Sequence, residues 1–92
     1  MLRPAPDAGL LARNHPVLRW TGAPYGSRYS VVVSTRDLTV LYRKSGLTAP
    51  ELEIPAEALS GVPAGADLVW RVEAIAPGGR RLSSGAFLSR LE

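Results

Sequence analysis

The 92 residues contain no cysteine. A disulfide framework and thiolate chemistry are therefore excluded, and a chain this short has to be stable through packing alone. Histidine occurs once, at His15, and a lone imidazole without a neighbouring cysteine cannot build a zinc site within one chain. It does not found a triad either, because no serine stands in a Gly-x-Ser-x-Gly turn. No apolar run approaches the ~20 residues that span a bilayer. The opening Met-Leu-Arg-Pro-Ala-Pro-Asp lacks the apolar stretch of a signal peptide. Helical periodicity is nearly absent. Together these gaps leave little from which to assemble an enzyme, a metal centre or a helical bundle.

What is present suits one small β domain. Hydrophobic residues make up 46% and charged residues 21% of the chain, enough apolar material for a single core and too little net charge for disorder. The net charge is +3, and ten of the eleven cations are arginines. Arg3, Arg13, Arg19, Arg28, Arg36, Arg43, Arg71 and Arg90 are scattered; only Arg43-Lys44 and Arg80-Arg81 are adjacent. Nucleic-acid binders usually gather their basic residues in one run or face. The spacing thus predicts a dispersed basic surface and no nucleic-acid partner.

Eight prolines and nine glycines punctuate the chain roughly every 8–12 residues, with short alternating runs between them, the pattern of an all-β sandwich or barrel. Leu10-Leu11 reads as a weak first strand after a Pro/Ala leader. Val17–Thr21 is the second, with Leu18 and Trp20 on one face. Gly22–Ser27 is a turn, and the next strand places Tyr29, Val31 and Val33 together. Asp37 turns the chain into Leu38–Tyr42, a run apolar on both faces and expected at a sheet edge. Ser45-Gly46 reads as another turn. Leu52–Ile54 is a half-buried strand with Glu51 and Glu53 pointing out, and Pro55–Leu59 fits one helical turn. Leu68–Ala74 alternates most clearly: Leu68, Trp70, Val72 and Ala74 inward, Arg71 and Glu73 outward. Pro77–Arg80 is a hairpin connection, and the last strand runs from Leu82 to Leu88.

Three segments carry a resemblance: Leu18-Arg19-Trp20, Tyr29–Val33, and the stretch from Leu59 through Pro63-Ala64-Gly65 to Leu68–Ala74. They resemble, respectively, the second strand, the third strand and the turn-plus-strand of a fibronectin type III domain. The resemblance covers about residues 8–90. It implies a seven-stranded antiparallel two-sheet sandwich, fibronectin type III or immunoglobulin-like. It leaves residues 1–7 as a disordered leader and 91–92 as a tail. One departure is plain. Leu68 stands where the family usually has a tyrosine whose hydroxyl bonds back to the preceding turn, so packing of Leu68 against Leu59 and Val62 has to hold that turn. Leu-Arg-Trp, the penultimate-strand Trp and Gly-Gly-Arg are similar to bacterial versions, which occur in extracytoplasmic parts of membrane-anchored regulators, including anti-sigma factors, or beside carbohydrate-active enzymes.

No catalytic, metal or cofactor site is expected. Glu51 and Glu53 share an exposed strand face, which reads as a solvated surface and not as a glycosidase pair. Gly78-Gly79-Arg80-Arg81 opens a strand, whereas a phosphate loop opens a helix and carries Gly-Lys-Ser/Thr. The candidate partner surface is the loop end bearing Tyr25, Arg80 and Arg81, an aromatic beside arginines on loops that a sandwich holds rigid. The free edge of Leu38–Tyr42 is a second place where a partner strand can add. The expected function is a monomeric, non-catalytic protein-interaction or spacer module of a larger extracytoplasmic or membrane-anchored bacterial protein, contacting a protein partner or neighbouring domain without itself entering a membrane. The alternative, a carbohydrate-binding accessory domain, requires an exposed aromatic platform, for which only Tyr25 and Tyr42 remain once both tryptophans are assigned to the core.

Overall fold

Residues 2–5 and 9–92 are described in a computed structural model of the chain. Met1 and residues 6–8, part of the expected leader and domain boundary, lie outside the described residues. The strands are β1 (Arg3–Pro4), β2 (Leu10–Leu11), β3 (Val17–Thr21), β4 (Arg28–Ser34), β5 (Val40–Leu47), β6 (Glu51–Glu53), β7 (Asp67–Ile75), β8 (Arg81–Ser83) and β9 (Phe87–Leu91), with one 3₁₀ turn at Ala56–Leu59. They form two sheets. The smaller has the order β1-β3-β6; the larger has β2-β9-β7-β4-β5, with β8 also on β7. β4 covers one edge of β7 from Arg28↔Ile75 to Ser34↔Val69, so β8 and β9 lie end to end along the other. The architecture is all-β and sandwich-like.

Alternation builds the core as the sequence predicts. Leu18, Trp20, Tyr29, Val31, Val33, Leu68, Trp70, Val72 and Ala74 are all buried, from both sheets, in one cluster. Trp20 stacks edge-on to Tyr29 at 5.4 Å and lies 6.2 Å from Trp70, which in turn meets Phe87 edge-on at 4.9 Å. Such geometry suits the ring quadrupoles and adds to the burial energy. Trp70 donates its Nε1–H to Ser89 Oγ at 2.9 Å, a bond within the core. The Trp20 Nε1 is equally buried and has no partner among the described residues.

Several boundaries differ from the sequence reading, each for a physical reason. Strand β5 does not begin at Leu38. Thr35–Leu38 closes a turn through Leu38 N–H to Thr35 O at 2.9 Å, with Leu38 at φ +68°. Only then does the edge strand start, at Val40. Ser45-Gly46 is not a turn but lies inside β5, where the register steps from Tyr29↔Leu47 to Val31↔Lys44. Gly46, at φ +73°, supplies the left-handed residue of a β-bulge, a use of glycine that looks like a turn in sequence. A second shift separates Val33↔Tyr42 from Ser34↔Val40. It lets both Leu41 and Tyr42 pack on the core, which explains why neither face of that run read as polar. The last strand is split into β8 and β9 at Ser84-Gly85-Ala86. There the Ser84 hydroxyl accepts the Val72 N–H at 2.8 Å, in place of a ladder carbonyl.

The termini depart further. The expected leader holds a strand: β1 pairs Arg3↔Thr21 and Pro4↔Trp20, and Leu2 is buried. At the other end Leu91, expected in a tail, closes β9 and is fully buried, paired to Leu11. The β2–β9 pairing is parallel, the one exception to the expected antiparallel pattern among the described strand pairs.

The turn at Leu59–Val62 is held by packing and by hydrogen bonds from a distant side chain. Leu68, Leu59 and Val62 pack together in the core. In addition, the Arg13 guanidinium donates to Leu59 O at 3.2 Å and to Val62 O at 2.6 Å, and its Nε donates to Glu92 O at 3.2 Å. A cation from the N-terminal segment ties the turn to the C-terminus. Charge-assisted bonds to carbonyls are about twice as strong as neutral ones.

Candidate functional site

The Gly22–Ser27 connection is shaped by its glycines and its serine. Gly22 and Gly26 adopt φ +109° and +86°, conformations that cost any other residue strain. The buried Ser27 then returns two bonds to Pro24 O, from its N–H at 3.2 Å and its hydroxyl at 2.7 Å. These bonds close the turn and leave Tyr25 at its tip, fully exposed. The partner loop is a tight hairpin: Ala76 N–H bonds Arg80 O at 2.7 Å and Gly79 N–H bonds Ala76 O at 2.9 Å, with Gly78 and Gly79 both at positive φ. The loops touch. A Cβ on Gly26 would meet Pro77 Cγ at 3.2 Å, so the two loops lie close at this point.

The three candidate side chains are less united than the loops. Tyr25 borders a surface depression of about 600 Å³ with Pro24, Arg28, Tyr29, Thr48 and Pro50, and neither Arg80 nor Arg81 lines it. Arg80 is exposed at the end of the hairpin. Arg81 is the first residue of β8, opposite Ile75, with its Nε 3.8 Å from Glu73 Oε1. The cation that shares this depression with Tyr25 is Arg28, which the sequence reading passed over. A signal for it existed: Arg28 immediately precedes the inward Tyr29, so strand alternation sends it outward beside the loop.

At the opposite end of β4 and β7 lies an apolar groove of about 650 Å³, lined by Leu41, Ala58, Val62, Pro63 and Ala66. The Arg36–Asp67 ion pair, at 3.1 Å, stands on its rim. Asp37 is also at the rim. Its carboxylate accepts from the Thr35 hydroxyl, then from the Thr39 N–H, and these bonds hold its pKa below the ordinary value.

The residues with chemical potential elsewhere are engaged at the surface. His15 Nδ1 lies 3.9 Å from Glu53 Oε2, and Arg19 Nε lies 3.3 Å from Glu51 Oε2. Each carboxylate of the exposed pair therefore faces its own basic partner across β3 and β6. Among the described residues no group of three or more His, Asp or Glu side chains is placed to hold a metal ion, and no helix is long and apolar enough to cross a membrane. Tyr42 packs on the core and both tryptophans are buried, which leaves Tyr25 as the exposed aromatic. Compared with known proteins, the chain matches no protein-family model and no curated protein.

Proposed function

We propose that the chain is a fibronectin type III-like module that serves as a non-catalytic protein-interaction domain within a larger extracytoplasmic protein. The strand order supports the family part. If β1 with β2, and β8 with β9, are each counted as one interrupted strand, the two sheets contain seven strands arranged three against four. The resemblance of Leu18-Arg19-Trp20, Trp70 and Gly78-Gly79-Arg80 to bacterial members supports the setting. The observation that carries the interaction reading is Tyr25: a fully exposed aromatic on a loop closed by Ser27 and braced against Pro77. An exposed tyrosine held rigid loses little entropy on contact, which makes it a good anchor for a protein partner. The carbohydrate alternative has weaker support, because a sugar platform needs more exposed ring surface than one tyrosine.

The test is site-specific photocrosslinking of the intact parent protein in the cells that make it. A photoreactive residue is placed in turn at Tyr25, at Ser30 on the larger sheet and at Glu53 on the smaller. The expected result is a discrete protein adduct from position 25, in a variant whose melting temperature is that of the unsubstituted protein. No adduct from any position would leave a spacer. An adduct from position 30 alone would keep the interaction reading and move the surface.

A further inference from the structure

Strand pairing gathers residues that the sequence scatters. On the outer face of the larger sheet, two cross-strand rows repeat one pattern, an aliphatic side chain between two arginines. Arg28 and Arg81 flank Ile75; Arg43 and Arg71 flank Val32. Neighbouring strands lie ~4.8 Å apart, so the two arginines of each row stand ~10 Å apart at their backbones. Arg90 on β9 is a fifth cation of this face, against two carboxylates, Asp67 and Glu73. Both acids are already engaged, Asp67 by Arg36 and Arg90, Glu73 by Arg81. Arg28, Arg43 and Arg71 are exposed and have no ion-pair partner among the described residues. The outer face of the smaller sheet is different in kind: there Arg19 is matched by Glu51, and Glu53 faces His15.

Exposed apolar side chains collect on the same face. Of the six large ones among the described residues, four lie there: Leu10, Val40, Ile75 and Leu88, at 55%, 46%, 43% and 60% exposure. Val40 and Leu88 belong to a further row, through Ser34 and Val69. One face thus holds unpaired guanidiniums interleaved with uncovered aliphatic groups, which is unusual for a surface that meets only water.

We propose that this outer face is a docking surface for an acidic protein segment that carries apolar residues among its carboxylates. The inference rests on the protein-interaction reading above and changes its address, with Arg28 belonging to both the face and the rim of the Tyr25 depression. Planar guanidinium forks suit carboxylates bidentately, and the aliphatic residues between them give apolar side chains of the partner a place to lose water. A nucleic-acid strand fits less well, since single-strand sites add aromatic stacking platforms and the exposed aromatic, Tyr25, is on a loop at the end of the sheet. A second copy docking through the same face would set arginine against arginine.

The experiment is an NMR titration of the isotope-labelled chain with four probes. These are a short peptide of glutamates around a central pair of leucines, a matched all-glutamate peptide, a short DNA duplex, and phosphatidylserine vesicles. Saturable shifts are expected at Val32, Val40, Arg43, Arg71 and Leu88, with the leucine-bearing peptide binding most tightly of the four. R43E/R71E at unchanged melting temperature should weaken that peptide roughly tenfold or more. Leu88→Ser should narrow the gap between the two peptides, and Tyr25→Ala should leave both unchanged. Tighter binding of DNA or vesicles overturns the proposal, as does the absence of saturable shifts on this face. Shifts confined to residues 22–27 and 76–80 overturn the face while leaving the interaction reading intact; the crosslinking experiment tests that reading separately.

Discussion

Arg13 occupies a position that a surface arginine seldom does. Its fork spans two carbonyls of the turn before β7, and its Nε reaches the last residue of the chain. The turn is thus bonded from another part of the chain. Arg13→Ala is expected to lower stability by about 1.5–3 kcal/mol, the range for hydrogen bonds to a charged group, measured as a shift of the urea midpoint. Arg13→Lys should recover little, because one ammonium cannot reproduce a planar fork across two acceptors. Leu68→Tyr should not help: Leu68 is fully buried and its replacement overpacks the site at about 1–3 kcal/mol. The two tryptophans form a second contrast at this scale. Trp70→Phe loses the bond to Ser89, whereas Trp20→Phe removes a buried N–H that has no partner among the described residues. Both lose volume, so both destabilise, but Trp70→Phe should cost about 1–3 kcal/mol more. Equal midpoints for the two variants would contradict that assignment.

At the scale of elements, the β4–β5 hairpin holds a residue against its preference. Leu38 sits at φ +68° and more than half exposed, in the position where such three-residue loops favour Gly or Asn. A left-handed conformation costs a residue with a Cβ ~1–2 kcal/mol, and glycine returns ~0.5–1 of that as unfolded-state entropy. Leu38→Gly is therefore expected to raise the thermal midpoint slightly, by up to about 1 kcal/mol of stability, in a calorimetric scan; a fall would mean that Leu38 packs usefully on its neighbours. This hairpin also marks where the fold stopped being legible in the sequence. Strands whose faces differ, such as Leu68–Ala74 with Arg71 and Glu73 outward, were read to within a residue or so. The β5 run was not, because bulges at both ends let Leu41 and Tyr42 share the core and Gly46 imitate a turn. Residues 2–4 were also missed, since the two-residue β1 offers no alternation to detect, and Leu91 was missed because the break at Ser84–Ala86 carries the last strand beyond Leu88. For the site, Tyr25 was legible from the Gly/Pro frame that exposes it. The clustering of Arg28, Arg43 and Arg71 was not, although each outward position follows from alternation: bringing them onto neighbouring strands requires the register, which linear sequence does not carry.

The whole molecule is closed by its two ends, and this sets the limits within which it can be cut. β1 covers the edge of β3 that β6 leaves open, and Leu2 enters the core beside it. At the C-terminus, Leu91 O accepts the Gly65 N–H at 2.7 Å, Leu91 N–H bonds Ala66 O at 2.9 Å and Glu92 N–H bonds Leu11 O at 2.9 Å. Arg13 adds its bond to Glu92 O. The last two residues thus gather the N-terminal strand, the turn before β7 and Arg13 at one place. Ending the chain at Arg90 removes a fully buried leucine, worth ~2–5 kcal/mol by analogy with Leu→Ala, and leaves the Gly65 N–H without its acceptor and the Ala66 carbonyl without its donor. For a domain whose total stability is ~5–15 kcal/mol, that loss should approach unfolding at 37 °C. Removing residues 1–5 should cost less, because Leu2 is one buried side chain with few backbone bonds. It also bares the β3 edge, and an unpaired edge invites pairing with a second molecule. The expected outcome is a modest loss of melting temperature for the N-terminal truncation, accompanied by concentration-dependent association in sedimentation, and a large loss for the C-terminal one. If the C-terminal truncation melted with the intact chain, the junction of Leu91, Glu92 and Arg13 would not be what holds the sheets together at that end.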